Sequence, residues 1–353
     1  MLQSHIFDEL PLQDQMALQR IFDGTDLPPL YSDIIAKTVF SADAHPDRLN
    51  FLLRSIARDD TIDVRSGASN EGLHQSKYSK TMISDIPSWF RDGRLSDFEI
   101  QKAAQNFIFT RVELYASSML LLQYSVSKGQ KKSSLTFSSL NEVLLVVLMV
   151  DSPKAFKEYG KTCDKYIHRF TTMTSDTGLS YPSKAKMIYV QLDKCLAQFR
   201  NGFNAESEDG KPDRLQVWLA MIADVNDAKV LSTAAEDDTL AGIQVEIRNM
   251  AQDKEVQAML IQEKFDLMDW ASYGEERRSE GKAEGFAEGK AEGKAEGKAE
   301  GKAEGERNLA ELIQKLLATG RTDDIERVTR DPEYRETLYN EFGIGNVTAA
   351  ADE

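Results

Sequence analysis

The sequence predicts a mixed α/β fold in which helices flank one sheet. Three features of residues 81–150 carry this prediction: two short runs that alternate between apolar and polar residues, a long helical pattern, and an apolar run without alternation. A strand, a long helix and a buried strand in that order indicate a parallel crossover. The alternating runs are expected to form a hairpin in the same sheet.

The composition is that of a folded chain with a strong acidic excess. The 353 residues are 41% hydrophobic and 29% charged, which is enough to bury one or two cores. The net charge of −15 argues against a protein that coats DNA non-specifically, since such affinity comes from neutralising phosphates. It leaves room for an enzyme that meets nucleic acid at one basic patch and a metal ion.

Cysteine, histidine and hydropathy patterns exclude several other classes. Cys163 and Cys195 form no CxxC pair, which argues against a zinc site or a disulfide framework and fits a reducing compartment. The four histidines are scattered, so no histidine metal site is expected. The most apolar run, residues 143–150, is too short to span a bilayer, and no signal-peptide pattern is present. We therefore expect a cytoplasmic protein without a membrane partner.

Two short helices are expected before the hairpin. Residues 32–41 (SDIIAKTVFS) have Ser32 as a candidate N-cap, with Ile35 and Val39 four residues apart. Residues 48–57 (RLNFLLRSIA) carry an apolar stripe at helical spacing, which predicts a core-facing helix. That stripe consists of Leu49, Leu52, Leu53 and Ile56.

The predicted hairpin consists of residues 81–86 (TMISDI) and 95–101 (LSDFEIQ), with Asp92 and Gly93 in the turn between them. Residues 59–80 are polar and rich in Gly and Ser, which predicts a loop leading into the first strand.

A helix is expected over residues 103–125, ending near Lys128 and Gly129. Residues 141–151 (NEVLLVVLMVD) then read as a strand buried on both faces, and residues 185–194 (AKMIYVQLDK) as a later strand. The apolar positions of the helix are Phe107, Val112, Tyr115, Met119 and Leu122.

The second half of the chain reads as helical. Residues 215–225 and 241–271 show amphipathic patterns, and residues 308–344 predict a small helical hairpin whose first helix stops at Gly320. The stripe of that first helix is Leu309, Leu312, Ile313, Leu316 and Leu317.

Residues 280–305, called the EGKA repeat below, place a glycine at every fourth position. Like charges then fall at i, i+4, and each interior glycine costs about 1 kcal/mol relative to alanine, so a lone helix is expected to be frayed. Two interpretations stay open: a solvated, semi-helical spacer, or a glycine column that lets helices approach closely in a homo-oligomer, as in a coiled coil. Phe286 is the only large apolar residue of the repeat.

The register of the hairpin decides whether two carboxylates can meet. A two-residue loop of Asp92 and Gly93 leaves Asp85 facing away from Glu99. A three-residue loop over 91–93, with Gly93 in the left-handed conformation, sets Asp85 directly opposite Glu99, with the side chains about 5 Å apart.

Two carboxylates that close repel each other unless a cation lies between them. Mg²⁺ can be held by carboxylate oxygens of Asp85 and Glu99, the Ile100 carbonyl and water, with Gln101 orienting a water. Such an ion activates water and stabilises the charge that develops on a phosphodiester, which is nuclease chemistry. The alternative is an ordinary acidic hairpin edge without a metal.

The order Asp85, an Asp-Gly turn, then Glu99-Ile100-Gln101 resembles the D…ExQ variant of the PD-(D/E)XK nuclease core. More specifically, the chain resembles the bacterial family of recombination-promoting nucleases (Rpn) and putative transposases. Arg111 and Tyr115 match its R-x-x-x-Y helix.

The resemblance covers about residues 30–343 in all. It begins at 32–41, although the Phe of the family's opening helix is missing. Residues 188–194 are similar to a late strand ending in Leu192-Asp193-Lys194, and 215–222 and the tail are similar to the family's C-terminal region.

The resemblance implies a restriction-endonuclease-like core and a metal-dependent DNA endonuclease that promotes recombination or transposition. It implies Asp85 and Glu99 as metal ligands and Gln101 at the position where these enzymes usually have lysine. A neutral amide lacks that positive charge, so Lys80 or Lys102 substitutes for it, or catalysis is slower. The alternative function is a catalytically weak or inactive nuclease fold that binds nucleic acid or forms oligomers.

Candidate DNA contacts are Arg111 and the cluster Lys128, Lys131 and Lys132. Arg111 can reach a scissile phosphate or pair with a core carboxylate. The lysines can bind phosphates or complement a helix dipole. Asp33 is either a third acidic ligand or a helix N-cap.

The sequence therefore divides into five segments. These are an N-terminal segment (1–29), the nuclease-like domain (30–200), a helical extension (201–278), the repeat linker (279–306) and the C-terminal helical hairpin (307–345).

Overall fold

The computed structural model describes residues 2–68, 85–104, 107–128 and 140–345. The chain divides into two compact units, Met1–Met268 and Asp269–Glu353. Within the described residues, none of the helices has the length and apolar character needed to cross a membrane.

Four helices precede the sheet in the first unit. The apolar stripe of the fourth helix is fully buried, as its spacing predicts. Residues 1–29, for which the sequence predicted only a segment, contain two helices. The four are α1 (Leu2–Glu9), α2 (Leu12–Phe22), α3 (Asp33–Val39) and α4 (Pro46–Ala57).

One six-stranded mixed sheet forms the centre of the first unit, in the order β1-β2-β3-β4-β6-β5. The first three strands are antiparallel, β3, β4 and β6 are parallel, and β5 returns antiparallel to β6. The mixed sheet and the parallel crossover are confirmed. The strands are β1 (Val64–Gly67), β2 (Ile86–Phe90), β3 (Leu95–Gln101), β4 (Val143–Met149), β5 (Ile167–Thr174) and β6 (Ser180–Gln191).

Two strands were not foreseen, and one lies elsewhere than predicted. β1 falls within the predicted loop 59–80, and β5 had no sequence signal because its outer half is exposed. The first hairpin strand runs over Ile86–Phe90, so it begins where the predicted run 81–86 ends. Residues 81–84 lie outside the described residues.

The crossover from β3 to β4 is α5 (Ile108–Lys128). All seven residues of β4 are buried, as a strand covered on both faces requires. Val112 and Met119 of α5 are buried against the sheet. Phe107 was predicted on the same stripe, which is wrong, because it precedes the helix and is 57% exposed.

Side chains alternate between two cores on the faces of the sheet. Phe98 and Ile100 of β3 pack in the larger core with α3 and α4, whereas Leu95 packs in the smaller core under α5. Period-two alternation therefore places Glu99 and Gln101 on the α5 face.

Eight described helices follow β4 along the chain, and α11 runs from the residues of the first unit into those of the second. They are α6 (Lys154–Tyr159), α7 (Leu192–Arg200), α8 (Arg214–Ala223), α9 (Ala228–Ala234), α10 (Asp238–Met250), α11 (Lys254–Ala318), α12 (Asp323–Arg330) and α13 (Pro332–Phe342).

The predicted strand 185–194 ends three residues early. Leu192, Asp193 and Lys194 form the first turn of α7. The reason is visible in the spacing of buried apolar positions, since Leu192 is followed by Leu196 and Phe199 at helical intervals. Asp193 adds a carboxylate to that first turn, where the helix dipole favours negative charge.

The EGKA repeat is helical throughout, as part of the 65-residue helix α11. The expectation of a frayed helix considered the repeat in isolation. In the chain it continues from packed turns at both ends, because Leu260 is buried before it and Leu312 after it, so no separate nucleation is needed. A Cβ added at any of the described repeat glycines, 289 to 305, meets no atom within 4 Å.

The second unit has its own small core where α11, α12 and α13 meet. It consists of Leu312, Leu316, Val328, Leu338 and Ile344. Gly320 ends α11 with a φ of +75°, as predicted. The predicted hairpin has three helical segments, and Leu317 is 56% exposed and so does not belong to the buried stripe.

Candidate active site

The hairpin between β2 and β3 has the three-residue loop. The Phe90 N–H donates to the Arg94 carbonyl at 2.9 Å, and Gly93 has a φ of +87°. Ile86 pairs with Phe98, so continuing the register by one residue sets Asp85 opposite Glu99. Gly93 is required twice, since a Cβ there would also lie 2.7 Å from an amide nitrogen of Asn141.

Asp85 is tied to β3 through the backbone. Its Oδ2 accepts a hydrogen bond from the Ile100 N–H at 3.0 Å. The N–H and C=O of one strand residue face the same edge, so the Ile100 carbonyl also lies on the Asp85 side. Burial raises the pKa of Asp85, and the nearby Asp33 carboxylate adds to this, against the lowering effect of the Ile100 hydrogen bond.

Glu99 is a buried carboxylate, 3% exposed, with one oxygen paired and one not. Its Oε1 forms an ion pair with the Arg111 guanidinium. Its Oε2 has no hydrogen-bond partner among the described residues. A buried carboxylate oxygen without a partner is costly, and a cation bound there would relieve that cost.

Gln101 is fixed at both ends of its amide. Its Oε1 accepts a hydrogen bond from Arg111 Nη1 at 2.8 Å, and its Nε2 donates to the Ala103 carbonyl at 2.9 Å. The amide keeps a second N–H and a second lone pair, which is enough to orient one water. Arg111 thus binds both predicted site residues of β3 and lies 5.5 Å from the centre of the Tyr115 ring.

Lys102 is held away from the role of a catalytic lysine. Its Nζ donates to Asp33 Oδ1 at 2.6 Å and also pairs with Glu263 of α11. Burial lowers the pKa of Lys102, but the two carboxylates outweigh it, so the pKa lies above its ordinary value. Asp33 and Glu263 therefore neutralise the charge of Lys102, which was expected to replace that of the missing catalytic lysine.

Asp33 is the first residue of α3, and the N-cap is Ser32, so the N-cap interpretation of Asp33 is wrong. The Ser32 hydroxyl donates to Glu263 Oε2 at 2.5 Å instead of capping the helix. Asp33 influences Asp85 through its charge while its own carboxylate binds Lys102.

The remaining basic candidates lie outside the described residues. Lys80, Lys131 and Lys132 fall in ranges that the structure does not describe, and of Lys128 only the backbone, at the end of α5, is described.

Two acidic residues near the site were missed. Asp97, 1% exposed, lies two residues before Glu99 and hence on the same face, which the period-two pattern of β3 could have indicated. Glu263 contacts Lys102 from 161 residues away, and no local pattern in the sequence signals such a contact.

The candidate metal-binding groups of the site are the carboxylates of Asp85 and Glu99 and the carbonyl of Ile100. Among the described residues, no three His, Cys, Asp or Glu side chains converge closely enough to hold a metal ion. Mg²⁺ is commonly bound by one or two carboxylates, with waters and substrate phosphates completing its octahedron. The residues present, with the unpartnered Glu99 Oε2, fit that mode of binding.

Comparison with known families gives one match. A family model described as PD-(D/E)XK nuclease family transposase matches residues 30–276, which is more than half of the chain. No curated protein and no solved structure matches. The matched range contains the whole sheet and all the site residues named above, and it confirms both the family resemblance and the restriction-endonuclease-like α/β fold.

Proposed function

Since the chain belongs to the PD-(D/E)XK nuclease family transposases, its function is of the nuclease type and its substrate is nucleic acid, and we propose that it is a metal-dependent DNA endonuclease. The single observation that best supports this is the pairing register of Ile86 with Phe98, which, continued by one residue, opposes Asp85 and Glu99. PD-(D/E)XK nucleases generally use divalent metal ions, and we propose Mg²⁺ because the donors are all hard oxygens.

The proposed ligands are Asp85, Glu99 through Oε2, and the Ile100 carbonyl. Asp85 brings its carboxylate to the edge of β3, where its hydrogen bond to the Ile100 N–H fixes its orientation. When bound, the ion lowers the pKa of a water and stabilises the charge that develops on the scissile phosphate. Gln101 orients the attacking water with its remaining N–H or lone pair.

Arg111 is the proposed source of the positive charge that Gln101 cannot supply. Its guanidinium reaches the end of the Gln101 side chain, the position at which related enzymes carry lysine. Without substrate it balances Glu99, and with substrate it can also donate to a phosphate oxygen, because a guanidinium has five N–H donors. The two interpretations of Arg111 are then compatible. Lys128, Lys131 and Lys132 are the other proposed contacts to the DNA backbone.

The proposed biological role is the promotion of recombination or transposition. The word transposase in the family description supports the second, and the sequence resemblance to recombination-promoting nucleases supports the first. We place it in the cytoplasm, which the free cysteines Cys163 and Cys195 support. Self-association through the EGKA repeat is part of the proposal, supported by the open space at its described glycines.

Cleavage of supercoiled plasmid in Mg²⁺ tests the proposed activity. We expect the protein to nick the plasmid, and Asp85→Ala and Glu99→Ala to abolish nicking. Glu236→Ala is the matched control, since Glu236 is an exposed carboxylate remote from the sheet in sequence, and this variant should nick normally. Nicking by both site variants would disprove the proposed ligands. Absence of nicking by the wild-type protein with any divalent ion would favour the non-catalytic alternative.

A further inference from the structure

A cluster of aromatic side chains lies at the β5 edge of the sheet, on the α5 face. Phe109 of α5 stacks on Phe156 of α6 at 5.2 Å between ring centres, and its edge approaches Phe170 of β5. His168 continues the cluster to Tyr159 at 5.8 Å. Phe156 is buried, but three members present large surfaces to solvent: Phe109 (39% exposed), Phe170 (48%) and Tyr159 (56%).

The aromatic cluster and the candidate active site are connected by one line of paired residues that crosses the sheet from β3 to β5. Glu99 pairs with Val147 of β4, Val147 with Tyr189 of β6, and Tyr189 with His168 of β5. Residues paired across strands point to the same face. Three strand spacings of about 4.8 Å therefore separate Glu99 from His168, which is about 14 Å.

The first turn of α5 lies between these two places. Arg111 reaches Glu99 and Gln101 on one side, while Phe109 packs on Tyr189 and Phe170 on the other. That turn contains no acidic residue. A polyanion running from the site to the cluster would therefore meet a helix N-terminus and a guanidinium, both favourable to phosphate.

The segment that builds the cluster is basic within an acidic chain. Residues 152–190 contain seven Lys or Arg and three Asp or Glu, a formal charge of +4, whereas the whole chain carries −15. Lys165, Arg169 and Lys186 pair with Glu206 or Glu142 outside the segment, so the lysines on and just after α6 are the ones offered to phosphates. Lys154, Lys157 and Lys161 are exposed on and just after α6, beside Tyr159. The carboxylates they meet, Asp151 and Glu158, are themselves exposed, and such surface pairs cost little to exchange for phosphates.

We propose that this surface binds single-stranded DNA, with unpaired bases stacked on Phe109, Phe170 and Tyr159 and the backbone running over the first turn of α5. The identification of the strand as the nuclease substrate rests on the proposed function. Exposed aromatic rings among basic residues suit unpaired bases, whose faces are open, and not a duplex, whose bases are already stacked. The stacked bases would then lie about 14 Å, a few nucleotides of strand, from the proposed cut.

The test is a binding measurement that needs no cleavage. Fluorescence anisotropy of a labelled oligothymidylate and of a duplex of equal length is measured in EDTA at one fixed salt concentration. We expect the single strand to bind more tightly, and Phe170→Ala and Tyr159→Ala each to weaken it about tenfold, the order expected for loss of one stacked base. Phe170→Trp should retain binding, because it keeps a ring on which a base can stack.

Phe203→Ala is the matched control, because Phe203 is 42% exposed but lies outside the aromatic cluster. It should bind like the wild-type protein. The double variant Lys154→Ala, Lys157→Ala should lower the slope of log affinity against log salt by about 0.7 for each lysine.

Three results would overturn the inference: tighter binding of the duplex, unchanged binding by both aromatic variants, or an equal loss in Phe203→Ala. Each of them leaves the plasmid-nicking test untouched, because no divalent ion is present. Conversely, if the protein binds the single strand in this pattern but never nicks plasmid, the inferred binding surface stands and the proposed endonuclease activity is wrong.

Discussion

Removal of Arg111 should destabilise the first unit more than removal of Glu99, although both changes break the same ion pair. The Glu99 side chain is 5% exposed and the Arg111 side chain 27%. Arg111→Ala therefore leaves a buried charge without compensation, for which about 3–5 kcal/mol is typical. Glu99→Gln leaves a guanidinium that still binds Gln101 and can turn toward water, so we expect about 1–2 kcal/mol.

A divalent ion should reverse much of this loss if Glu99 is a metal ligand. In Arg111→Ala the ion would take over the compensation of the Glu99 carboxylate. Binding of any ligand to the native state alone stabilises it by about 2.7 kcal/mol at a concentration of one hundred times its Kd. The double variant Arg111→Ala, Glu99→Gln has no such charge to compensate, so it should be more stable than Arg111→Ala in EDTA and should gain less from Mg²⁺.

Urea unfolding followed by tryptophan fluorescence measures these differences, since two of the three tryptophans, Trp89 of β2 and the buried Trp218 of α8, belong to the first unit. Each variant is unfolded in EDTA and in excess Mg²⁺. The reasoning would fail if Arg111→Ala were as stable as the wild-type protein. It would also fail if Mg²⁺ stabilised Arg111→Ala and the double variant equally, because Glu99 would then contribute nothing to metal binding.

Two further predictions concern Asp85 and the EGKA repeat. Because the folded-state pKa of Asp85 is raised above 3.8, the native state binds the proton more tightly than the unfolded chain, and without metal its stability falls as pH rises through that folded pKa. Asp85→Asn, which can still accept from the Ile100 N–H, should therefore be more stable than wild type at neutral pH in EDTA and equal to it at low pH, as urea unfolding at several pH values would reveal. If the repeat joins copies of the chain, deletion of residues 279–306 should lower the number of chains per particle, which light scattering measures through the particle mass. An unchanged number of chains per particle would favour the spacer interpretation.

The parts of the fold that the sequence predicts are those governed by short-range patterns. The α4 stripe, the fully apolar β4 and the Gly93 loop depend on spacings within a dozen residues, and all three are observed. β1 and β5 were not predicted because edge strands are half-exposed and their apolar and polar residues alternate only weakly. The unbroken helix of the EGKA repeat was not predicted because it continues from turns that are packed elsewhere in the chain.

The position of the carboxylates is predictable because one turn determines it. A three-residue loop and a strand period of two place Asp85 opposite Glu99 without reference to the rest of the chain. The partners of those carboxylates depend on packing between elements. Glu263 reaches Lys102 and Asp33 from α11, and only the folded core brings that helix to the end of β3.

Arg111 lies between these two cases. The residues of α5 that pack on the sheet, Ile108, Val112 and Ala116, define which side of the helix faces β4 and β6. Arg111 is one position before Val112, about 100° around the helix, so it lies at the margin of the buried stripe. The sequence therefore allows it either to bend toward a carboxylate or to face solvent. The outcome depends on Glu99, which is buried and lacks any other cation among the described residues. Leaving its desolvated charge unpaired costs more than ordering one arginine side chain, so Arg111 turns toward Glu99.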